Sequence, residues 1–258
     1  MKNKTISVVL ATFNEEENLA RCLDSVKDFA DEIVIVDGNS TDNTIEVAKK
    51  FGARIKSTTN KPNFHINKQM AIDLAQCDWV FQLDADEIIS SALAREMKEK
   101  VNSANLSFNG YWVSRKNFFL GRFLMKGGQF PDFTLRLYKN GKGHLPQKDV
   151  HEQAVVEGEV GYLKESLLHY PYKNFAFYLS KWDRYNELIA RQIKEDMKKK
   201  NIFQEYLYAA GYLIIKPLYW FLSTYLRHKG ILDGWQGFVF SFFSALRFPV
   251  SYIKYLSL

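Results

Sequence analysis

Short apolar runs alternate with helical stripes over the first hundred residues. The runs "ISVVLATF" (6–13), "EIVIVD" (32–37), "ARIKST" (53–58) and "WVFQLD" (79–84) read as strands. Between them, Leu19, Cys22, Leu23, Val26 and Phe29 fall at helical spacing behind an acidic first turn. A second helical segment over 41–52 opens with capping residues and closes on Gly52, and a third over 66–76 puts Ile66, Met70 and Leu74 on one stripe. Buried strands separated by such helices predict right-handed βαβ units, a mostly parallel sheet with helices on both faces, and ligands at the carboxyl ends of the strands.

From residue 108 the pattern changes. "GYWVSRKNFFLGRFL" and "FTLRLYKNGKGHL" are aromatic, β-rich and punctuated by glycine, with "KNG" a turn, and further short strands follow over 149–170. These predict an antiparallel extension within one domain spanning 1–173, its halves about 1–105 and 106–173. Residues 174–200 then form a helix with Tyr178, Trp182, Tyr185, Ile189 and Ile193 on one stripe. The remaining segment, 201–258, completes a helical region over 174–258.

Composition adds detail to this outline. The chain has 258 residues, 47% apolar, enough for a sizeable core, and a net charge of +6. That charge is not spread evenly: residues 1–180 carry 23 Lys or Arg against 23 Asp or Glu, whereas 181–258 carry 12 against 6. No zinc-finger spacing or Gly-Arg run supports nucleic-acid binding. A basic tail crowded with Phe, Tyr, Trp and Leu points to a membrane surface instead. A spanning helix needs about 20 apolar residues. The longest charge-free stretches of the tail, 206–215, 217–226 and 234–246, are 10, 10 and 13 residues. Lys216 with Pro217 and, further on, Arg247 interrupt these stretches, so the expectation is a pair of amphipathic helices lying in the interface. The alternative is a soluble hairpin that covers the first domain or pairs with another subunit. Cys22 and Cys77 lie in apolar patterns without C-x-x-C spacing and read as buried free thiols of a reducing compartment. The N-terminal apolar run is too short for a signal peptide, so a cytoplasmic, peripheral protein is expected.

The candidate chemistry sits in "LDADE". Asp84, Asp86 and Glu87 fall within four positions at the end of the fourth strand, with no Lys or Arg nearby in sequence. Residues two apart on a strand face the same way, so Asp84 and Asp86 can approach one point above the sheet edge. Hard oxygen donors there suit magnesium or manganese. One acid could instead cap the helix expected over 85–97; three exceed what a cap requires.

Taken together, "VVLATFNEEENLARCLDSV", "EIVIVDGNSTDNT" and "LDADE", each at a strand end, resemble family 2 glycosyltransferases of the GT-A fold. The later "RLYKNG", "VHE", "LLHY" and "LDGWQGF" resemble the lipopolysaccharide-core branch, which includes inner-core glucosyltransferases. The resemblance implies an α/β GT-A architecture and an inverting, metal-dependent transfer from a nucleotide-diphosphate sugar, a UDP-sugar first, to a lipid-linked glycan at the inner face of the cytoplasmic membrane. It places Thr12, Asn14 and Glu15 at the nucleotide pocket, Asp37 on the base or ribose, and Asp84 and Asp86 as the acid pair, Asp86 on the metal with His169. Glu152 falls where the family carries its base, with Asp149 and His151 as rivals. Gly127 and Gly128 form either a loop over the substrates or a plain turn, and Arg136 either meets a phosphate or pairs across strands. Processive synthases of the family carry Q-x-x-R-W, which does not begin at Gln69, Gln192 or Gln236. The competing functions are nucleotidyl transfer, which calls for a basic Gly-rich loop where "ATFNEEEN" is acidic, and a noncatalytic nucleotide-sugar-binding adaptor.

Overall fold

The first strand, β1 (Ile6–Thr12), is buried on both faces, which is why it reads as a continuous apolar run. The computed structural model of the chain describes residues 3–103, 107–148, 153–198 and 200–258. After β1 come α1 (Glu16–Asp24), β2 (Glu32–Asp37), α2 (Thr44–Lys50), β3 (Arg54–Ser57), α3 (Phe64–Leu74) and β4 (Trp79–Gln82). β1 pairs in parallel with both β2 and β4, and β2 with β3, as expected of consecutive βαβ units. A two-residue strand β5 (Glu87–Ile88) and α4 (Ser91–Val101) follow. The antiparallel extension consists of β6 (Gly110–Phe119), β7 (Arg122–Leu124), β8 (Asp132–Lys139), β9 (Gly143–His144), β10 (Val155–Val156) and β11 (Val160–His169). The main sheet runs β3-β2-β1-β4-β8-β6-β11-β5, so the parallel half continues into an antiparallel half through β4 and β8.

The chain divides into two compact units, one of residues 1–115 and 132–169, the other of 116–131 and 170–258. In the first unit, Ile6, Val8, Leu10, Leu19, Leu23, Ile35, Phe81, Leu93 and Met97 form one buried layer, and Val9, Val34, Val36, Ala71, Ile72 and Val80 the other. The register of α3 differs from the expected stripe. Ile66, Met70 and Leu74 are only partly covered, and the buried positions are His65, Asn67, Lys68, Ala71 and Ile72. His65 and Lys68 turn inward because they line a cleft, and Asn67 because its amide donates to Thr59 O at 3.2 Å. Cys22 is buried, but Cys77 is half-exposed, since it lies in the turn before β4 and not in the helix.

In the second unit, α5 (Phe175–Met197) packs Tyr178 against Phe119 and Leu124, and Ile193 with Met197 against Tyr252. Tyr185, expected on the packed stripe, is 57% exposed; Asn186 takes the inward place and accepts a hydrogen bond from Ser251 Oγ at 3.2 Å. The helices α6 (Ile202–Ala210), α7 (Lys216–Leu222) and α8 (Gly234–Leu256) follow. Pro217 does not break the chain: α6 widens into a π turn over Gly211–Ile215, and Pro217 then sits in the first turn of α7, where its missing N–H costs least. Arg247 and Pro249 likewise lie within the continuous helix α8. Among the described residues no helix is long and apolar enough to cross a membrane. Many apolar side chains are nevertheless exposed here: Ile202, Phe203, Tyr206, Leu207, Ile214, Ile215 and Leu218 are each 58% or more accessible. Gly127 and Gly128 have positive φ in a turn of this unit, where the Gly127 N–H donates to His228 O at 2.9 Å.

Candidate active site

The loops after β1 and β2 are fastened to each other. The Asn14 N–H donates to Ser40 Oγ at 2.8 Å and Asn14 Oδ1 accepts from the Thr41 N–H at 2.8 Å, with Asn14 held at a φ of 55°. The Glu15 N–H donates to Thr44 Oγ1 at 2.8 Å, and the Glu15 carboxylate accepts from Asn18 Nδ2 at 2.9 Å. Asp37 is fully enclosed. Its oxygens accept from Thr12 Oγ1 at 3.0 Å, Ser40 Oγ at 2.6 Å and the Ser40 N–H at 2.8 Å. Thr12, Asn14, Glu15 and Asp37 are thus brought together at adjacent strand ends. Within this group Asn14 is exposed, while Asp37 fixes the loop from inside. Gly38 sits in a tight place, where a Cβ would lie 3.1 Å from Asn60 Cα and 3.3 Å from Thr12 O, so a larger residue would push the Asn60 loop outward by a few tenths of an ångström.

At the end of β4 the chain turns through Asp84, Ala85 and Asp86 into β5. The acids do not cap the following helix: Ser90 does, accepting from the Leu93 N–H at 3.1 Å. Nor are they without cations. Lys68 Nζ, from α3, lies 2.5 Å from Asp84 Oδ1, and Arg136 Nη2, from β8, lies 2.8 Å from Asp84 Oδ2 and 3.2 Å from Glu87 Oε1. Glu87 is wholly buried, accepts from the Asp84 N–H at 2.9 Å, and has Arg115 Nη1 at 3.6 Å. Arg115 also holds Asp132 at 2.8 Å. Burial works against the charge of Asp84, but Arg136 and Lys68 overcome it and hold this carboxyl well below the usual range. For Glu87 burial wins, aided by the neighbouring Asp84, and the carboxyl is pushed up despite Arg136.

Asp86 has a different surrounding. β5 pairs antiparallel with β11, setting His169 opposite Glu87, and His169 Nε2 lies 3.4 Å from Asp86 Oδ2. A carboxylate and an imidazole form a donor set that magnesium or manganese accepts when phosphate oxygens or water complete the shell. Among the described residues no group of three or more His, Cys, Asp or Glu side chains could hold a metal by itself. Glu152 and its rivals Asp149 and His151 lie outside the described residues.

A cleft of about 230 Å³ opens beside Asp84, lined among others by His65, Lys68, Gln82, Arg115, Arg136 and Gln153. Sequence reasoning missed Lys68 and Arg115 and left Arg136 between two roles. The signal for Lys68 was a charged residue in register with Ala71 and Ile72 on a buried helix face. For Arg136 it was a charge flanked by Leu135 and Leu137 on a strand. Both cations project to the same strand-end acid, an arrangement that can cancel one carboxylate and still face an anionic ligand.

Residues 7–168 match the family model described as glycosyl transferase family 2. The chain is 30% identical over 256 residues to the lipopolysaccharide core biosynthesis glycosyltransferase LpsC of Rhizobium meliloti, covering 94% of this chain and 91% of that one. It is 28% identical over 250 residues to an uncharacterized glycosyltransferase of Rickettsia typhi, covering 92% and 81%. Among solved structures, glucosyl-3-phosphoglycerate synthase from Mycobacterium tuberculosis in complex with Mn2+ and uridine-diphosphate-glucose is similar at 24% identity and a TM-score of 0.37, with 45% of this chain and 44% of that one covered.

Proposed function

The chain belongs to glycosyl transferase family 2, and from that premise we propose an inverting, metal-dependent transfer of a sugar from a nucleoside diphosphate, UDP first, to a lipid-linked glycan of the lipopolysaccharide-core kind. The observation that carries the reading is the pair Asp84 and Asp86 at the end of β4, one beside a cleft walled by Lys68 and Arg136, the other beside His169. Thr12, Asn14 and Glu15 would border the nucleotide, with Asp37 holding their loop in shape. Asp86 and His169 would hold the cation, which when bound supplies positive charge to the departing diphosphate. Glu152, adjoining cleft residue Gln153 in the chain, would take the proton of the acceptor hydroxyl. As that oxygen bonds to the anomeric carbon, the bond to the diphosphate breaks on the opposite face and the configuration inverts.

The exposed apolar side chains and basic excess of the second unit support a place at a membrane surface, where a lipid-linked acceptor is met. The test is transfer from radiolabelled nucleotide sugars to a lipid A-core acceptor with and without manganese. Transfer indifferent to chelation and to Asp86→Ala refutes the metal mechanism. Donor binding retained by Glu152→Gln with transfer lost supports catalysis, and a native protein inert with every donor and acceptor supports the adaptor reading instead.

A further inference from the structure

Two cations of the second unit sit against aromatic rings with no acid among the described residues to balance them. Lys216 Nζ lies 3.6 Å from the centroid of Tyr212 and 6.0 Å from that of Phe248. Arg247 Cζ lies 4.8 Å from the Phe248 centroid and 4.9 Å from that of Trp220. Both are half-buried, and among the described residues no carboxylate comes within ion-pair distance of either. Arg247 Nε has no hydrogen-bond partner among the described residues, and burial draws the pKa of this guanidinium down. Lys254, two turns beyond Arg247 on α8, shows the ordinary alternative, with Asp183 at 3.0 Å and Glu187 at 3.8 Å.

Desolvating a cation without a counter-charge is costly, and ring contacts offset only part of that cost. The only acid after Glu205 is Asp233, and it is taken by the backbone N–H groups of Met125 and Lys126 at 3.1 and 2.7 Å. The anion therefore has to come from outside. Its carrier must also cover apolar surface, because Ile214, Leu218 and Tyr219, neighbours of Lys216 in the helix, are 57–65% exposed. A nucleic acid offers the charge without acyl chains. A second copy of this chain, docked face to face about a two-fold axis, brings the same cations against each other. A lipid surface offers both.

We propose that Lys216 and Arg247 form a binding site for the phosphate of an anionic lipid headgroup, the guanidinium supplying forked N–H donors and the ammonium a point charge. This rests on the membrane-surface reading of the same unit and assigns the residues that select the lipid. The test is partition of the full chain onto sedimentable vesicles of phosphatidylcholine with and without phosphatidylglycerol. Native protein should prefer the phosphatidylglycerol vesicles, with a preference that falls as salt rises. Lys216→Gln with Arg247→Gln should lose about thirtyfold of that partition, five- to sixfold per cation, and leave binding to phosphatidylcholine alone unchanged. Should that variant unfold, Lys216→Arg with Arg247→Lys keeps the charges and should keep most of the preference, and the salt dependence of the native chain stands as the independent measure. Unchanged partition of the folded double glutamine variant, or a native preference indifferent to salt, overturns the site alone. No native binding to either vesicle overturns the membrane reading and the site with it.

Discussion

Replacing Arg136 by methionine removes one guanidinium and leaves two carboxylates short of a partner. Arg136 is almost enclosed and bonds Asp84 at 2.8 Å and Glu87 at 3.2 Å through one nitrogen. Breaking a buried ion pair by deleting one member costs about 3–5 kcal/mol, because the charge left behind keeps its desolvation penalty. The surroundings place this case at the low end. Glu87 keeps Arg115 at 3.6 Å, and Asp84, about a quarter exposed at 24%, keeps Lys68 at 2.5 Å. A loss of about 3 kcal/mol is expected, which for a chain of this size lowers the melting temperature by about 6–12 °C. The assay is calorimetric melting of the native protein, Arg136→Met, Glu87→Gln and the double variant at neutral pH. Glu87→Gln removes the wholly buried charge, so in the Arg136→Met background it should restore part of the stability, with a coupling above about 1 kcal/mol between the two sites. An Arg136→Met protein within about 0.5 kcal/mol of native, or two changes that simply add, would refute the claim that this arginine neutralises the strand-end acids.

Three further outcomes are expected. Asp86→Ala should lower metal-stimulated transfer by about a hundredfold or more while leaving the melting temperature nearly unchanged, since the side chain is not part of the Arg136 cluster; equal stimulation by manganese in variant and native protein counts against it. Burial works against the charge of Glu32, but hydrogen bonds from Ser7 Oγ, the Gln76 N–H and Arg54 bring its carboxyl below the usual range. Its contribution is therefore complete above the ordinary glutamate value of about 4.3 and lost as pH falls through the lower folded value. The melting-temperature gap between native and Glu32→Gln should hold constant above about pH 5 and narrow only as pH falls below the ordinary glutamate value of about 4.3, and a gap that closes nearer neutrality contradicts the assignment. Cys22 is fully buried, and that burial, with Glu87 beside it, raises its thiol well above the ordinary value, whereas Cys77 is half-exposed. An aromatic disulfide reagent should titrate one thiol quickly in the native chain, and two fast equivalents would show that the packing around Cys22 is open.

Most of the parallel half of the sheet was legible because β1, β2 and β4 are covered on both faces, so their apolar runs are continuous and their boundaries sharp, whereas β3 is an exposed edge strand. β5 was not legible: two residues carry no periodicity, and what defines them is pairing with β11, some eighty positions away. The helix expected to begin at the acids therefore starts later, behind Ser90. The stripe on α3 departs from the expected one because the assumption that apolar spacing marks the buried face fails there: His65 and Lys68 turn inward to line a polar cleft, and Asn67 donates to Thr59 O at 3.2 Å. The same assumption put Tyr185 inside and overlooked Asn186. The break expected at Pro217 failed for a backbone reason, since a π turn accommodates the ring without ending the helix. The acids themselves were found at once; their cations were not, because Lys68 and Arg136 reach them across the fold from other elements.

The distribution of charge around the strand end explains why three acids stand within four positions. Lys68 and Arg136 meet Asp84, Arg136 and Arg115 meet Glu87, and Arg115 also meets Asp132, so three cations answer three carboxylates inside the first unit. Asp86 is outside that balance. Its ionic neighbour among the described residues is His169, and its side chain is 25% accessible. Had all three acids been left unmatched, their mutual repulsion would have protonated one of them; had all three been matched by side chains, nothing would remain for a dication to neutralise. Under the proposed function, dividing them would leave Asp86 for the cation, with Lys68 and Arg136, already oriented by Asp84, in the cleft wall. Asp84 and Asp86 should accordingly fail in different ways when neutralised. Asp84→Asn frees Lys68 and Arg136 from their anchor and should cost stability as well as transfer, whereas Asp86→Asn should cost transfer and spare stability. Melting curves and transfer rates measured on the same two proteins separate these roles, and identical behaviour of the pair would remove the physical basis for assigning them differently.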